Sequence, residues 1–77
     1  MNPEEIRRFL KATPFVPFRM HTTDGKHLDV KHPELAFLTR KMLLVGAGVA
    51  DPAADIPDRA NSVSMWHVVR IEPLVAA

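Results

Sequence analysis

The chain contains no cysteine and no tyrosine, and a single tryptophan. Without cysteine, disulfide stapling and thiolate chemistry are excluded, and a reducing, cytoplasmic compartment is the expectation. Long apolar runs are also missing. The longest clean one, Met42 to Val45, is far below the ~20 residues of a membrane helix. The first residues are acidic and then basic, with no apolar signal core, so neither a secretion signal nor a membrane partner is expected. Charge of one sign is scarce: the net charge of +1 excludes a strongly basic nucleic-acid scavenger. The charge is uneven all the same. Residues 1–41 carry eight Lys/Arg and five Asp/Glu, whereas residues 42–77 carry two and four.

Motifs for cofactors are lacking too. Gly46-Ala47-Gly48 follows a predicted strand, but no Gly-Lys-Ser/Thr follows it, so it reads as a turn. Asp51, Asp55 and Asp58 lack the glycine and terminal glutamate of a calcium loop. No cofactor is expected. Catalysis finds little support: Ser62, Ser64 and His67 supply a nucleophile and a base, and Glu34 or Glu72 an acid, but nothing suggests an oxyanion hole. The expectation is a protein that is not an enzyme.

What is present is one domain, residues 1–77, of ordinary globular composition: 47% apolar and 25% charged. Asn2-Pro3-Glu4-Glu5 starts a helix, with Asn2 as cap and Pro3 in the first helical position. Ile6, Phe9 and Leu10 follow at helical spacing. Thr13-Pro14 stops the helix, which is placed at about 3–12. Pro14-Phe15-Val16-Pro17 matches the P-x-x-P pattern, but with Phe15 inside it reads as a stiff extended linker.

Phe15 to Val30 forms a hairpin around Asp24-Gly25. A two-residue loop there sets polar residues opposite apolar ones. A three-residue loop, Thr23-Asp24-Gly25, pairs Phe18 with Val30, Met20 with Leu28, Arg19 with Asp29 and His21 with His27. A slip of one residue inverts every side chain, so the second register is expected, with Gly25 as the left-handed residue. His32-Pro33-Glu34 interrupts the sheet. Leu35 to Thr39 reads equally as a strand or a helical turn. Arg40-Lys41 is a connection, Met42 to Val45 a buried strand, and 46–60 a long loop. Asn61 to Trp66 and Val69 to Pro73 are the last strands, with a phase change at Trp66-His67-Val68.

The order suggests a mainly β fold with one N-terminal helix: a small antiparallel SH3-like or Sm-like barrel, or a strongly bent sheet, of five to six short strands at about 17–73. The near-loopless link through Trp66-His67 resembles the 3₁₀ turn before the last strand of SH3-like barrels. The helix-first order is similar to that of Sm-like barrels. The blocks Pro14 to Arg19, Asp24-Gly25, His32 to Glu34 and Arg70 to Pro73 resemble a family of small uncharacterised bacterial proteins. That resemblance spans most of the chain except 46–60. It implies no activity and assigns no functional residue.

The candidate interaction surface comprises Arg19, His21, Lys26, His27, Arg40, Lys41 and Trp66. His21 and His27 face each other across the hairpin and would share a metal only if Asp29 or His32 completed the site; solvated histidines are the plainer expectation, and no metal is assigned. Arg19, Lys26, Lys31, Arg40 and Lys41 suit an anionic backbone. Stacking platforms are missing, however, because the apolar phase places the phenylalanines inside. Trp66 falls at the phase change, and a position in the core or at a subunit interface is expected. The resulting expectation is a protein-interaction module, partnered by another protein or by a second copy of itself. The alternative is an RNA- or DNA-binding module that uses a basic hairpin face.

Overall fold

The computed structural model describes residues 1–47 and 57–74. Helix α1 spans Pro3–Lys11. The Asn2 side chain accepts a hydrogen bond from the Glu4 amide at 3.0 Å, satisfying one of the donors that every helix start leaves free. Nine residues do not hold a helix in water without tertiary support. That support comes from Ile6, which is fully buried, flanked by half-buried Phe9 and Leu10. Burial of one such aliphatic side chain contributes on the order of 1.5–3 kcal/mol.

Six strands follow: β1 Phe18–Thr22, β2 His27–Val30, β3 Ala36–Leu38, β4 Met42–Ala47, β5 Arg59–Ser64 and β6 Val68–Pro73. They form two three-stranded antiparallel sheets, ordered β2-β1-β6 and β3-β4-β5. The chain passes between the sheets twice, each time through a 3₁₀ turn: Pro33–Leu35 and Met65–His67. This is the mainly β, bent-sheet or barrel-like arrangement with one leading helix that the sequence pattern suggested.

The first hairpin adopts the three-residue register, with Phe18 opposite Val30, Arg19 opposite Asp29, Met20 opposite Leu28 and His21 opposite His27. Gly25 has φ +80, a left-handed conformation that a side chain would strain. The Thr22 hydroxyl bonds the Asp24 carboxylate and the Lys26 carbonyl, closing the turn. The core lies between the sheets under α1, built from Phe18, Met20 and Val30 on one side and Leu43, Val45 and Val63 on the other. The Phe18 ring packs against Phe9 and Phe15, at centroid distances of 5.3 and 6.1 Å.

Two expectations need correction. The 46–60 loop is shorter at both ends, because Gly46 pairs with Ala60 and Ala47 with Arg59. Gly46 is thus a strand residue, not a turn. A Cβ there would meet the Pro57 ring at 2.7 Å, so the close approach of Pro57 explains the glycine. Gly48, Asp51 and Asp55 lie outside the described residues. Nor are all the phenylalanines inside: Phe37 is 68% exposed. Its neighbours Ala36 and Leu38 take the core face of a three-residue strand, and alternation turns Phe37 outward. No helix among the described residues is long and apolar enough to cross a membrane.

Candidate functional site

The seven candidate residues fall into three separate places. Arg19 and His21 lie on the outer face of the β2-β1-β6 sheet, in two cross-strand rows: Asp29-Arg19-Glu72 and His27-His21-Arg70. Arg19 is bidentate to Asp29, with Nε to Oδ1 at 2.7 Å and Nη2 to Oδ2 at 3.1 Å. That bond, more than any other effect, holds the Asp29 carboxyl below its ordinary range and raises the guanidinium. His21 Nε2 lies 2.9 Å from Glu72 Oε1, and this contact lowers the Glu72 carboxyl. Arg19 and His21 are therefore engaged by carboxylates, whereas Lys26, Lys31 and Arg70 take part in no ion pair among the described residues.

The two histidines do face each other, with ring centroids 6.4 Å apart. The groups needed to complete a metal site are engaged elsewhere, however. Asp29 is held by Arg19, and His32 Nδ1 lies 3.7 Å from Glu34. No cluster of three or more metal-ligating residues occurs among the described residues.

Lys26 and His27 sit at the hairpin tip, beside a cleft of about 610 Å³ that Asn61, Ser62, Ser64 and His67 line from the other side. The tip is tied down by the Thr23 amide, which donates to the His67 carbonyl at 2.8 Å. Thr23 Oγ1 lies 3.2 Å from His67 Nδ1. Ser64 Oγ accepts from the Trp66 amide, capping the 3₁₀ turn. Ser64 and His67 thus each serve the turn geometry and are not hydrogen-bonded to each other.

Arg40, Lys41 and Trp66 come together around a second hollow. Trp66 is 85% exposed, not in the core. Met65 and Val68 take the buried side of the one-turn 3₁₀ segment, leaving Trp66 and His67 to point outward. Arg40 and Lys41 occupy the β3–β4 turn, which the Thr39 hydroxyl closes by accepting from the amides of Lys41 and Met42 at 3.3 and 3.0 Å. The Met65 amide donates to the Lys41 carbonyl at 2.8 Å, fixing the two turns side by side.

Sequence reading missed a fourth surface, the outer face of the β3-β4-β5 sheet. Its cross-strand rows are Phe37-Leu44-Ser62 and Met42-Ser64, continued by Gly46-Ala60. None of these residues carries a charge. Phe37 and Met42 are exposed and Leu44 is half-buried. The signal was available in the alternation of Met42 to Val45, of which only Leu43 and Val45 are needed inside. Compared with models of protein families, with curated proteins and with solved structures, the chain finds no match.

Proposed function

We propose that this protein is a non-enzymatic, cytoplasmic interaction module that associates with a second copy of itself through the outer face of the β3-β4-β5 sheet. The carrying observation is that this face is free of charge and presents exposed Phe37 and Met42 beside a row of serines. A two-fold contact sets one patch against its own copy. A patch of single-sign charge would repel itself in that arrangement. An uncharged patch of aromatic, methionine and small hydroxyl residues does not, and exposed aromatics and methionine are enriched at such contacts.

A small domain also gains from such a contact, because its own core is limited. The strand edges add a second means of attachment. β5 pairs only with β4, and β6 only with β1, so each leaves one backbone edge open among the described residues.

Light scattering at low and high salt tests the reading. Apolar association persists as salt rises, and Phe37→Glu reduces the mass to that of one chain. A monomer at every salt concentration sinks the proposal.

A further inference from the structure

Two shallow hollows adjoin on the surface at the N-terminal end of α1. One, of about 300 Å³, is lined by Glu4, Arg7, Leu38 and Thr39. The other, of about 480 Å³, is lined by Met1, Lys41, Met65 and Trp66. Pro3 and Arg40 line both, so the hollows are immediate neighbours, and together they make a groove bordered by Trp66.

Three cationic side chains border this groove, Arg7, Arg40 and Lys41, together with the Met1 amino group, against the single carboxylate of Glu4. None of the three takes part in an ion pair among the described residues, whereas Arg19 on the hairpin face does. The groove is also well braced. The Met1 amino group donates to the Met65 carbonyl at 2.6 Å, and the Met65 amide donates to the Lys41 carbonyl at 2.8 Å. An aromatic side chain therefore stands in water, on a fixed turn, beside cationic side chains that have no ion-pair partner among the described residues.

We infer that this groove binds single-stranded nucleic acid, one base stacking on Trp66 while the phosphates follow Lys41, Arg40 and Arg7. Every base has an aromatic face, and a strand's phosphates recur at spacings a short row of cations can follow, so one ring with such a row suits a strand of any sequence. A duplex fits less well, because its bases are stacked on one another and unavailable to the ring. An acidic peptide would satisfy the cations but leave the indole without a planar partner. This inference does not rest on self-association: the groove and the uncharged face are made by different residues.

The test is binding of fluorescein-labelled single strands, one DNA and one RNA of equal length, followed by anisotropy, with polyglutamate as the charge control. Trp66 is the only tryptophan, so quenching of intrinsic emission reports this site alone. The expected result is saturable binding of a single strand with Trp66 quenched. Affinity falls with salt on a log–log slope of about −2, as neutralisation of three phosphates by three cations requires. Trp66→Ala weakens binding roughly 5- to 150-fold, the usual cost of one lost base stack, and Trp66→Phe restores most of it. Arg40→Glu with Lys41→Glu abolishes binding at moderate salt. Binding of RNA alone would assign part of the recognition to the ribose hydroxyl, and binding of both strands would assign it to base and phosphate. No binding of either strand at low salt overturns the inference. So does binding that Trp66→Ala leaves unchanged, or polyglutamate bound as tightly as the strands, since either shows charge attraction without stacking. All these side chains are exposed, so circular dichroism of each variant is expected to match the parent.

Discussion

The two sheets share one core and present opposite outer faces. That of β2-β1-β6 carries Arg19, Asp29, Glu72 and Arg70, with His21 and His27 between them. Arg19 there engages Asp29, and His21 engages Glu72. That of β3-β4-β5 carries Phe37, Met42, Leu44, Ser62 and Ser64 and no charge. Ions that are already paired with a neighbour gain little from a partner and stay hydrated. An uncharged face with an exposed aromatic gains from being covered. The same contrast holds between Arg19, which is committed to Asp29, and Arg40 with Lys41, which stand beside Trp66.

The core joins the two sheets and offers the largest way to break the comparison. Phe18→Ala removes a fully buried ring and is expected to cost about 3–5 kcal/mol. If the sheets share one core, chemical denaturation stays a single transition, monitored in parallel by circular dichroism and by amide exchange in each sheet. Independent loss of one sheet would refute a common core.

Gly46→Ala perturbs the β3-β4-β5 sheet alone, because the new methyl would lie 2.7 Å from the Pro57 ring. Overpacking of this kind costs about 1–3 kcal/mol. Amide exchange should rise in β4 and β5 before it rises in β1, and equal rises would show that the effect is not local.

Ser62→Lys places a charge on the β5 side of the uncharged face, next to Leu44. Stability should change by no more than about 0.5 kcal/mol, as for other surface substitutions. Solution mass should nevertheless fall to that of the monomer. The matching change on the charged face, Arg70→Ser, should leave the mass as it was. If both or neither alter the mass, the contrast between the faces has no bearing on association.

The smallest effect belongs to the paired ions. Asp29 has a lowered carboxyl value in the folded state because Arg19 bonds its charged form. Its contribution is therefore complete above the ordinary aspartate value of 3.8 and is lost as pH falls through the depressed one. Arg19→Met should lower stability at neutral pH, and the gap to the parent should close in acid below that depressed value. Carboxyl titration by NMR should show Asp29 returning toward its ordinary range in the variant. An unmoved Asp29 would mean that the pair is not formed in solution.

Local chemistry was legible in the sequence wherever one short segment contained both partners. Asn2 and Pro3 announced the helix start, and the hairpin register followed from its apolar phase, because only one loop length sets Phe18 and Met20 opposite Val30 and Leu28. The phase change at Trp66-His67 marked the second 3₁₀ turn. Leu35 to Thr39 stayed ambiguous because five residues with three large apolar side chains fit either period. The ends of the 46–60 segment were misread because Gly, Ala and Arg carry weak strand preference, and pairing with a neighbour decided their state.

The sequence by itself thus determined the class of fold, the first register and the absence of any thiol or cofactor motif, since these depend on residue type and spacing within a few positions. Tertiary structure decided the surfaces. Glu72 reaches His21 from 51 residues away, and Arg7 of the helix comes to line one hollow with Arg40 only after α1 docks. The phase of a short strand chose Phe37 for the outside, and one 3₁₀ turn did the same for Trp66. Each of these depends on which side of an element the shared core claims. That is settled only when both sheets and the helix have packed together.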